Sequence, residues 1–301
     1  MQNITSFNPG AVGSNPQGDF VIDDKEPYGQ FKDGAGNKIA PNTIWTNFNM
    51  PLNKINSGIG LNINVDKNGL FESSTNLALQ YAYQLKIGDG KLGLGTNLGF
   101  NKIGYDFSKA VYPSNIAGAS SGTDQIIENL KSKKSYNIFN LGLGGYYKRG
   151  NLYFGASVSN LNSPKINTVK YFVPNVYFLA GYTYNPTNPL FVIMPSMQYK
   201  SPINGMVTLT IPQLSLSTIV EYSKFLLIGM EYSTGAEVSV LAGANIKNGS
   251  KFDGWRFLFA YDIIASKLGA LNGSKIEFMI GYSFNLHIEK TTKTYKSVRF
   301  L

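Results

Sequence analysis

The sequence predicts an all-β fold: a transmembrane, antiparallel, up-and-down β-barrel of about fourteen strands with both termini periplasmic. Three observations carry this. Residues alternate between two faces along much of the chain, as in Leu77, Leu79, Tyr81, Tyr83 and Leu85 against Ala78, Gln80, Ala82, Gln84 and Lys86, which is the period of a strand with one oily and one wet face. The faces also differ in kind: Leu, Ile, Phe and Tyr crowd one, while Gly, Asn, Ser and Gln hold the other. A soluble sandwich alternates too, but so wet an inner face suits a large closed barrel in lipid. Finally, no apolar run approaches the roughly 18 residues of a membrane helix, the longest being like Phe225 to Met230. Lipid can then be crossed only as a closed barrel, because every backbone polar group must find a partner within the protein.

Taken in order, strands are expected near Gly18 to Ile22, Thr43 to Met50, Gly58 to Asp66, Ser74 to Ile87, Lys91 to Tyr105, Tyr136 to Lys148 and Asn151 to Val158. Seven more follow near Asn175 to Tyr184, Pro189 to Tyr199, Leu214 to Tyr222, Phe225 to Ser233, Glu237 to Ile246, Trp255 to Ile264 and Lys275 to His287. Their connections alternate between tight turns, such as Gly88 to Gly90, Arg149 with Gly150, Asn185 to Asn188 and Ser223 with Lys224, and long loops. The long set comprises Asp23 to Asn42, Asp106 to Ser135, Ser159 to Pro174, Lys200 to Gln213 and Ala265 to Ser274. Short periplasmic turns and long outer loops are the asymmetry of outer-membrane barrels. The short Thr234 and Gly235 and the longer Lys247 to Gly254 depart from it. Tyr81, Tyr83, Tyr182, Tyr184, Tyr232, Trp255, Tyr261 and Tyr282 fall on oily faces, several near strand ends, where rings with polar tips favour the membrane interface. Pro195 removes a ladder donor inside a strand and predicts a bulge or kink.

Composition narrows the class further. Charged residues are 15% of the 301, against roughly 25% in average soluble proteins, while aromatics reach 13% and glycines number 32. No hinge divides the chain, so residues 1–301 read as one barrel domain, with a short segment 1–17 and a tail 288–301 in the periplasm or the lumen. Cysteine is absent, which removes disulfides, thiolate chemistry and cysteine metal sites. The net charge of +9 is scattered over turns and strand ends rather than gathered in a stripe, which argues against nucleic acid as a partner. Met1 to Pro9 has neither the basic start nor the apolar core of a signal peptide, so the numbering reads as that of a mature chain whose signal is already removed.

The residues offer little catalytic chemistry. His287 is the single histidine, and without a second histidine or any cysteine no zinc site is built; a lipase-like triad would have to find its serine across a neighbouring strand. Glu221, Glu231, Asp262 and Glu277 alternate with Lys275 and Arg256 on wet faces and read as lumenal ion pairs rather than a glycosidase pair. Gly88, Asp89 and Gly90, and likewise Gly142, Gly144 and Gly145, open no helix, so a dinucleotide loop fails; glycines on the wet face give room for a plug or for strand curvature. The sequence therefore calls for no enzyme, no cofactor and no metal. The most promising functional segment is the long connection after Asp106, where Thr123, Ile126, Ile127 and Leu130 would line one side of a short helix, serving as a docking cap or folding into the bore.

With the strand order in hand, the chain resembles the PorP/SprF family of outer-membrane proteins of the Bacteroidetes type IX secretion system. The family's Asn-Pro-Ala-Tyr-Ala-Gly-Ser element is matched by Asn8, Pro9, Gly10, Ala11, Val12, Gly13 and Ser14, without the Tyr. Its Pro-Leu followed by a Gly-x-Gly strand and a closing Asp and Gly appears as Pro51, Leu52, Gly58, Gly60, Asp66 and Gly69, with Asn49 where a His is common. Leu79 to Tyr83, Leu152 to Val158 with Asn160 and Leu161, Leu179 to Tyr184, and Ala260 to Asp262 resemble later family segments. The closing Ser-Pro-Arg-Tyr-Phe is altered to Ser297, Val298, Arg299, Phe300 and Leu301. The resemblance implies a non-catalytic barrel set in membrane lipid that partners a secreted surface adhesin and holds its C-terminal domain at the cell surface. Its alternative within the family is a core component touching the translocon or the periplasmic ring. Asn8, Pro9, Gly13, Pro51, Asp66, Gly69, Asn160, Asp262, Arg299 and Phe300 are then structural or partner-docking positions. A solute-transport barrel, porin or FadL-like, is the rival reading from another class.

Overall fold

In the computed structural model, residues 3–27, 39–69, 71–106, 134–166, 169–170, 172–203, 212–234, 237–247, 249, 251–264 and 274–285 are described. The strands are β1 (Gly18–Pro27), β2 (Asn42–Leu52), β3 (Ser57–Asn68), β4 (Glu72–Ile87), β5 (Gly90–Tyr105), β6 (Lys134–Arg149), β7 (Leu152–Ser159), β8 (Lys165–Ile166), β9 (Val169–Lys170) and β10 (Asn175–Tyr182). They continue with β11 (Phe191–Pro202), β12 (Gln213–Tyr222), β13 (Leu226–Ser233), β14 (Glu237–Asn245), β15 (Trp255–Ile264) and β16 (Ser274–Phe284). β1 to β7 and β10 to β16 form a closed barrel of antiparallel neighbours, sealed where β1 pairs with β16 from Gly18↔Phe284 to Pro27↔Lys275. β8 and β9 make a two-stranded hairpin within the β7–β10 connection, an element too short to show a period in the sequence.

Alternation sorts the side chains as a barrel in lipid demands. On β4, Leu79 is 62% exposed while its neighbours Ala78 and Ala82 are buried. On β13, Leu226, Ile228, Met230 and Tyr232 face outward and Leu227 and Ser233 inward. An oily exterior is stable only against acyl chains, since a soluble protein rarely leaves so continuous an apolar surface in water. Outward aromatics cluster close to one rim, where Tyr147 meets Phe154 at 5.2 Å, Phe191 meets Tyr222 at 5.0 Å and Trp255 meets Tyr282 at 5.1 Å between ring centroids. Such a belt marks an interface.

That rim carries most of the tight turns, at 53–56, 88–89, 150–151 and 223–225, and is called the turn end. The opposite, loop end holds the long connections, although 69–71 and 234–236 there are also short. β1 starts and β16 finishes at the turn end.

Two expectations need correction. The loop foreseen from Asp23 begins only after Pro27, because Asp23 and Lys25 point into the bore, where Lys25 meets Glu277 of β16 at 3.1 Å. A charged run that reads as a turn is thus strand throughout. Pro195 makes no bulge: β11 stays in register with β12 through Pro195↔Thr218. The missing N–H instead shows on the other side, where the β10 ladder stops at Gly181↔Ser196 and resumes with a lone bridge at Tyr184↔Ile193.

Candidate functional site

The N-terminal segment lies inside the barrel. It begins with two short 3-10 turns, Ile4–Ser6 and Pro9–Ala11, and the second is set by local chemistry. Asn8 takes the N-cap position and its side chain accepts from Gly10 N at 2.9 Å, while Pro9, whose ring fixes φ, occupies the first helical position. Asn8 is fully buried and its Nδ2 donates to Gly145 O of β6 at 2.9 Å. Further bonds tie the segment to inward side chains. Gln80 Nε2 donates to Thr5 O at 2.8 Å, Gln84 Nε2 to Val12 O at 2.7 Å, and Ser157 Oγ to Phe7 O at 2.8 Å. Thr5 Oγ1 donates to Asn47 Oδ1 at 2.8 Å, and Asn47 in turn bonds Asn62.

Glycines make the room. A Cβ on Gly95 would stand 2.4 Å from the Pro9 carbonyl, one on Gly144 2.3 Å from Asn8 Oδ1, and one on Gly58 2.4 Å from Val12 O. Gly13, at φ +70°, closes the segment against Gly58, whose Cα a side chain would meet at 2.5 Å. Both the left-handed conformation and the close approach require glycine there. Of the sequence's glycine pair, Gly144 faces the plug, whereas Gly145 faces outward with only the Leu94 side chain nearby. Apolar contacts complete the seat: Ala11 packs in a buried cluster with Tyr146 and Leu179, and the Phe7 ring lies 5.6 Å from Trp45 and 5.7 Å from Tyr177.

Above the plug, toward the loop end, remains a cavity of about 350 Å³. Its floor is apolar, from Ile219, Leu241, Leu258 and Met279, and its sides carry Asp23, Lys25, Asp66 and Asp262. Lys25 sits between Glu277 at 3.1 Å and Asp262 at 3.6 Å, and Lys275 pairs with Glu237. Asp66 accepts from Thr43 Oγ1 and Asn64 Nδ2, both at 2.7 Å. Lys25 is thus shared by two carboxylates and Asp66 is held by neutral donors, and among the described residues no cluster of three His, Cys, Asp or Glu converges as a metal would require.

The structure gathers the family-motif positions into two groups and leaves others apart. Asn8, Pro9 and Gly13 form the plug; Asp66 and Asp262 line the loop-end cavity together. Pro51 is buried at the turn end of β2 opposite Gly58. Gly69 (φ +72°) and Asn160 (φ +54°) shape loop-end bends, for which left-handed backbone is needed. Glu221, Glu231, Asp262 and Glu277 do face inward, but their cations are not those the sequence set beside them: Glu221 is held by Lys247 at 3.0 Å and Asp262 and Glu277 by Lys25. Thr123, Ile126, Ile127, Leu130, His287, Arg299 and Phe300 lie outside the described residues. Sequence reasoning missed Gln80, Gln84, Asn47 and Lys25. For the amides the signal was present, since they stand at inward positions beside strands that carry inward glycines; for Lys25 the signal was the inward parity it shares with Val21 and Asp23.

The profile of the family described as type IX secretion system membrane protein PorP/SprF matches residues 1–296. No curated protein matches the sequence. Among solved structures, the barrel is similar to the Ralstonia pickettii toluene transporter TbuX, at 12% identity and TM-score 0.54 over 93% of this chain and 92% of that one. It is also similar to the Pseudomonas putida toluene transporter TodX, at 11% identity and TM-score 0.53 over 94% and 93%. At these identities the likeness is one of fold, that of outer-membrane barrels.

Proposed function

Because the chain belongs to the PorP/SprF family of type IX secretion system membrane proteins, we propose that this outer-membrane barrel is a non-catalytic partner of a secreted adhesin, whose C-terminal domain it anchors at the cell surface. The observation that supports this reading over solute transport is the plug. A bore whose inner wall is bonded to the chain's own backbone at Thr5, Phe7 and Val12 is built to stay filled, and such a barrel serves by what it holds rather than by what it passes. The toluene transporters share the fold, and fold does not fix function. In this reading the turn end faces the periplasm and the loop end the medium, which puts the 350 Å³ cavity on the side where a surface protein arrives.

The test is affinity purification of the tagged protein from native outer membrane, followed by mass spectrometry. Recovery of a large secreted adhesin supports the anchor; recovery of translocon or periplasmic-ring components in its place assigns the barrel to the core machinery; recovery of neither overturns both. Steady conductance of the intact barrel in a planar bilayer would restore the transport reading. Since the chain has no cysteine, single cysteines placed at 56 and at 163 report sidedness by labelling of whole cells: only position 163 is expected to react.

A further inference from the structure

The charges that face the bore are not spread evenly along it. At the turn end, Lys86 of β4, Lys91 of β5 and Lys148 of β6 occupy inward positions on three consecutive strands, in direct register as Lys86↔Lys91 and Lys91↔Lys148. Like charges directly opposite one another on neighbouring strands destabilise a sheet. Elsewhere on the same rim Lys247 is matched by Glu221 at 3.0 Å, and the one carboxylate in the turn between Lys86 and Lys91, Asp89, is taken by Arg149 at 2.9 Å. Among the described residues no carboxylate pairs with any of the three lysines, and Lys148 Nζ donates only to the neutral Asn15 Oδ1, at 3.1 Å. Beside Lys86 and Lys91 opens a cavity of about 360 Å³, lined on its polar side by Gln84, Asn53, Asn56 and Gly13 and reaching the outer face of β4 at Tyr83 and Leu85. Two uncompensated ammonium groups and several amides thus border an accessible space where the plug leaves the bore, with Lys148 on the next strand in register with Lys91.

The geometry points to a docking site for an acidic polypeptide segment at the turn-end mouth. Three strands are crossed from Lys86 to Lys148, a span of about 10 Å at the usual strand spacing. A single phosphate does not bridge that distance, whereas two or three carboxylates along an extended chain do. The lysines share the inward parity of Gln84 and Tyr146, while Leu85, Leu92 and Tyr147 take the outer face; because the cavity also reaches that face at Tyr83 and Leu85, anionic headgroups are the rival occupant that the experiment separates. Nor can the chain's own tail supply the charge, since residues 286–301 contain Glu289 against Lys290, Lys293, Lys296 and Arg299. The site holds whether the partner recovered is an adhesin or a machinery component, because it requires only carboxylates on a segment reaching this mouth.

The experiment uses the full chain in uncharged detergent and a fluorescein-labelled glutamate-rich peptide, with its glutamine counterpart as the control, followed by anisotropy at low salt. Saturable binding is expected for the glutamate peptide alone. Binding should weaken about tenfold or more in K86Q/K91Q/K148Q, persist in K86R/K91R/K148R, and persist in K224Q, which alters a turn lysine on the far side. Heat-modifiable gel migration reports that each variant is a folded barrel. If the triple glutamine variant fails to fold, K91Q alone, at the centre of the trio, is expected to weaken binding about threefold. The proposal is overturned if the wild type does not bind saturably, if the glutamine variants bind as well as the wild type, or if the substitutions abolish association with anionic phospholipid nanodiscs and leave peptide binding intact.

Discussion

From β3 to β7 the wall that meets the bore is glycine and amide, with Gly58, Gly95 and Gly144 against the plug and Gln80 and Gln84 bonded to it. From β11 round to β1 the same depth is filled by the wall's own side chains, Val21, Ile219, Leu227, Leu258 and Met279, with Met194 and Leu241 packed against them. One wall gives up side-chain volume so that a separate piece of chain can occupy it; the other spends its volume on itself. The two therefore fail in opposite ways. Adding atoms should break the first, removing atoms the second, and the contrast can be tested from either direction.

The largest effect is expected at Gly95. A Cβ there would stand 2.4 Å from both C and O of Pro9, a backbone contact that no rotamer relieves, so Gly95→Leu cannot coexist with the seated plug. We expect the barrel to form and the N-terminal segment to leave, turning a silent protein into one that shows discrete, lasting current steps in a planar bilayer. Gly145→Ala is the matched control, since its nearest neighbour is the Leu94 side chain at 3.8 Å and it should stay silent. Persistent silence of Gly95→Leu, with normal gel migration, would refute the tie between this wall and the plug.

Next comes the opposite wall. Leu258→Ala removes a 4% exposed side chain from the aliphatic cluster and should cost about 2–5 kcal/mol in denaturant unfolding, without current, because the plug is not touched. Asn8→Ala follows at about 1–3 kcal/mol. It strips the cap from Gly10 N and removes the Asn8 amide from Gly145 O, at a side chain that is fully buried. Should Asn8→Ala cost more than Leu258→Ala, the plug rather than the aliphatic cluster would be the main stabiliser of the bore.

The two walls were also unequally legible. Most barrel strands carry a period of two with a clear difference between faces, and this needs only local reading; β4, with Leu, Tyr and Leu against Ala, Gln and Ala, is the clearest. The second half of β1 was hidden because Asp23, Asp24, Lys25 and Glu26 look like a turn until Lys25 is seen beside Glu277, more than two hundred residues away. The plug was hidden differently. Asn8 and Pro9 announce a capped turn, but not where that turn goes. Its seat is a set of glycines on β3, β5 and β6, each of which alone could equally have served curvature. Destination is a property of the closed barrel, which brings Gly58, Gly95 and Gly144 around one segment, and no window of sequence contains all three.

The smallest expected effect lies within the glycine wall itself, at Gly60. A Cβ there would meet Gln80 Oε1 at 2.9 Å and the Phe48 carbonyl at 3.3 Å. The closer contact is the end of a flexible side chain, so Gln80 can yield by a few tenths of an ångström. What yielding costs is part of the bond from Gln80 Nε2 to Thr5 O, now 2.8 Å, at most about 0.5–1.5 kcal/mol. Against this, replacing glycine inside an element restricts the unfolded chain and returns about 0.4–1 kcal/mol. The two terms are of one size and opposite sign, so Gly60→Ala should unfold within about 1 kcal/mol of the wild type and remain silent in the bilayer. The gap between Gly60→Ala and Gly95→Leu then measures what distinguishes the residues themselves: both are inward glycines beside the plug, but at Gly60 the nearest obstacle is a side chain that can move, and at Gly95 it is the backbone of the plug.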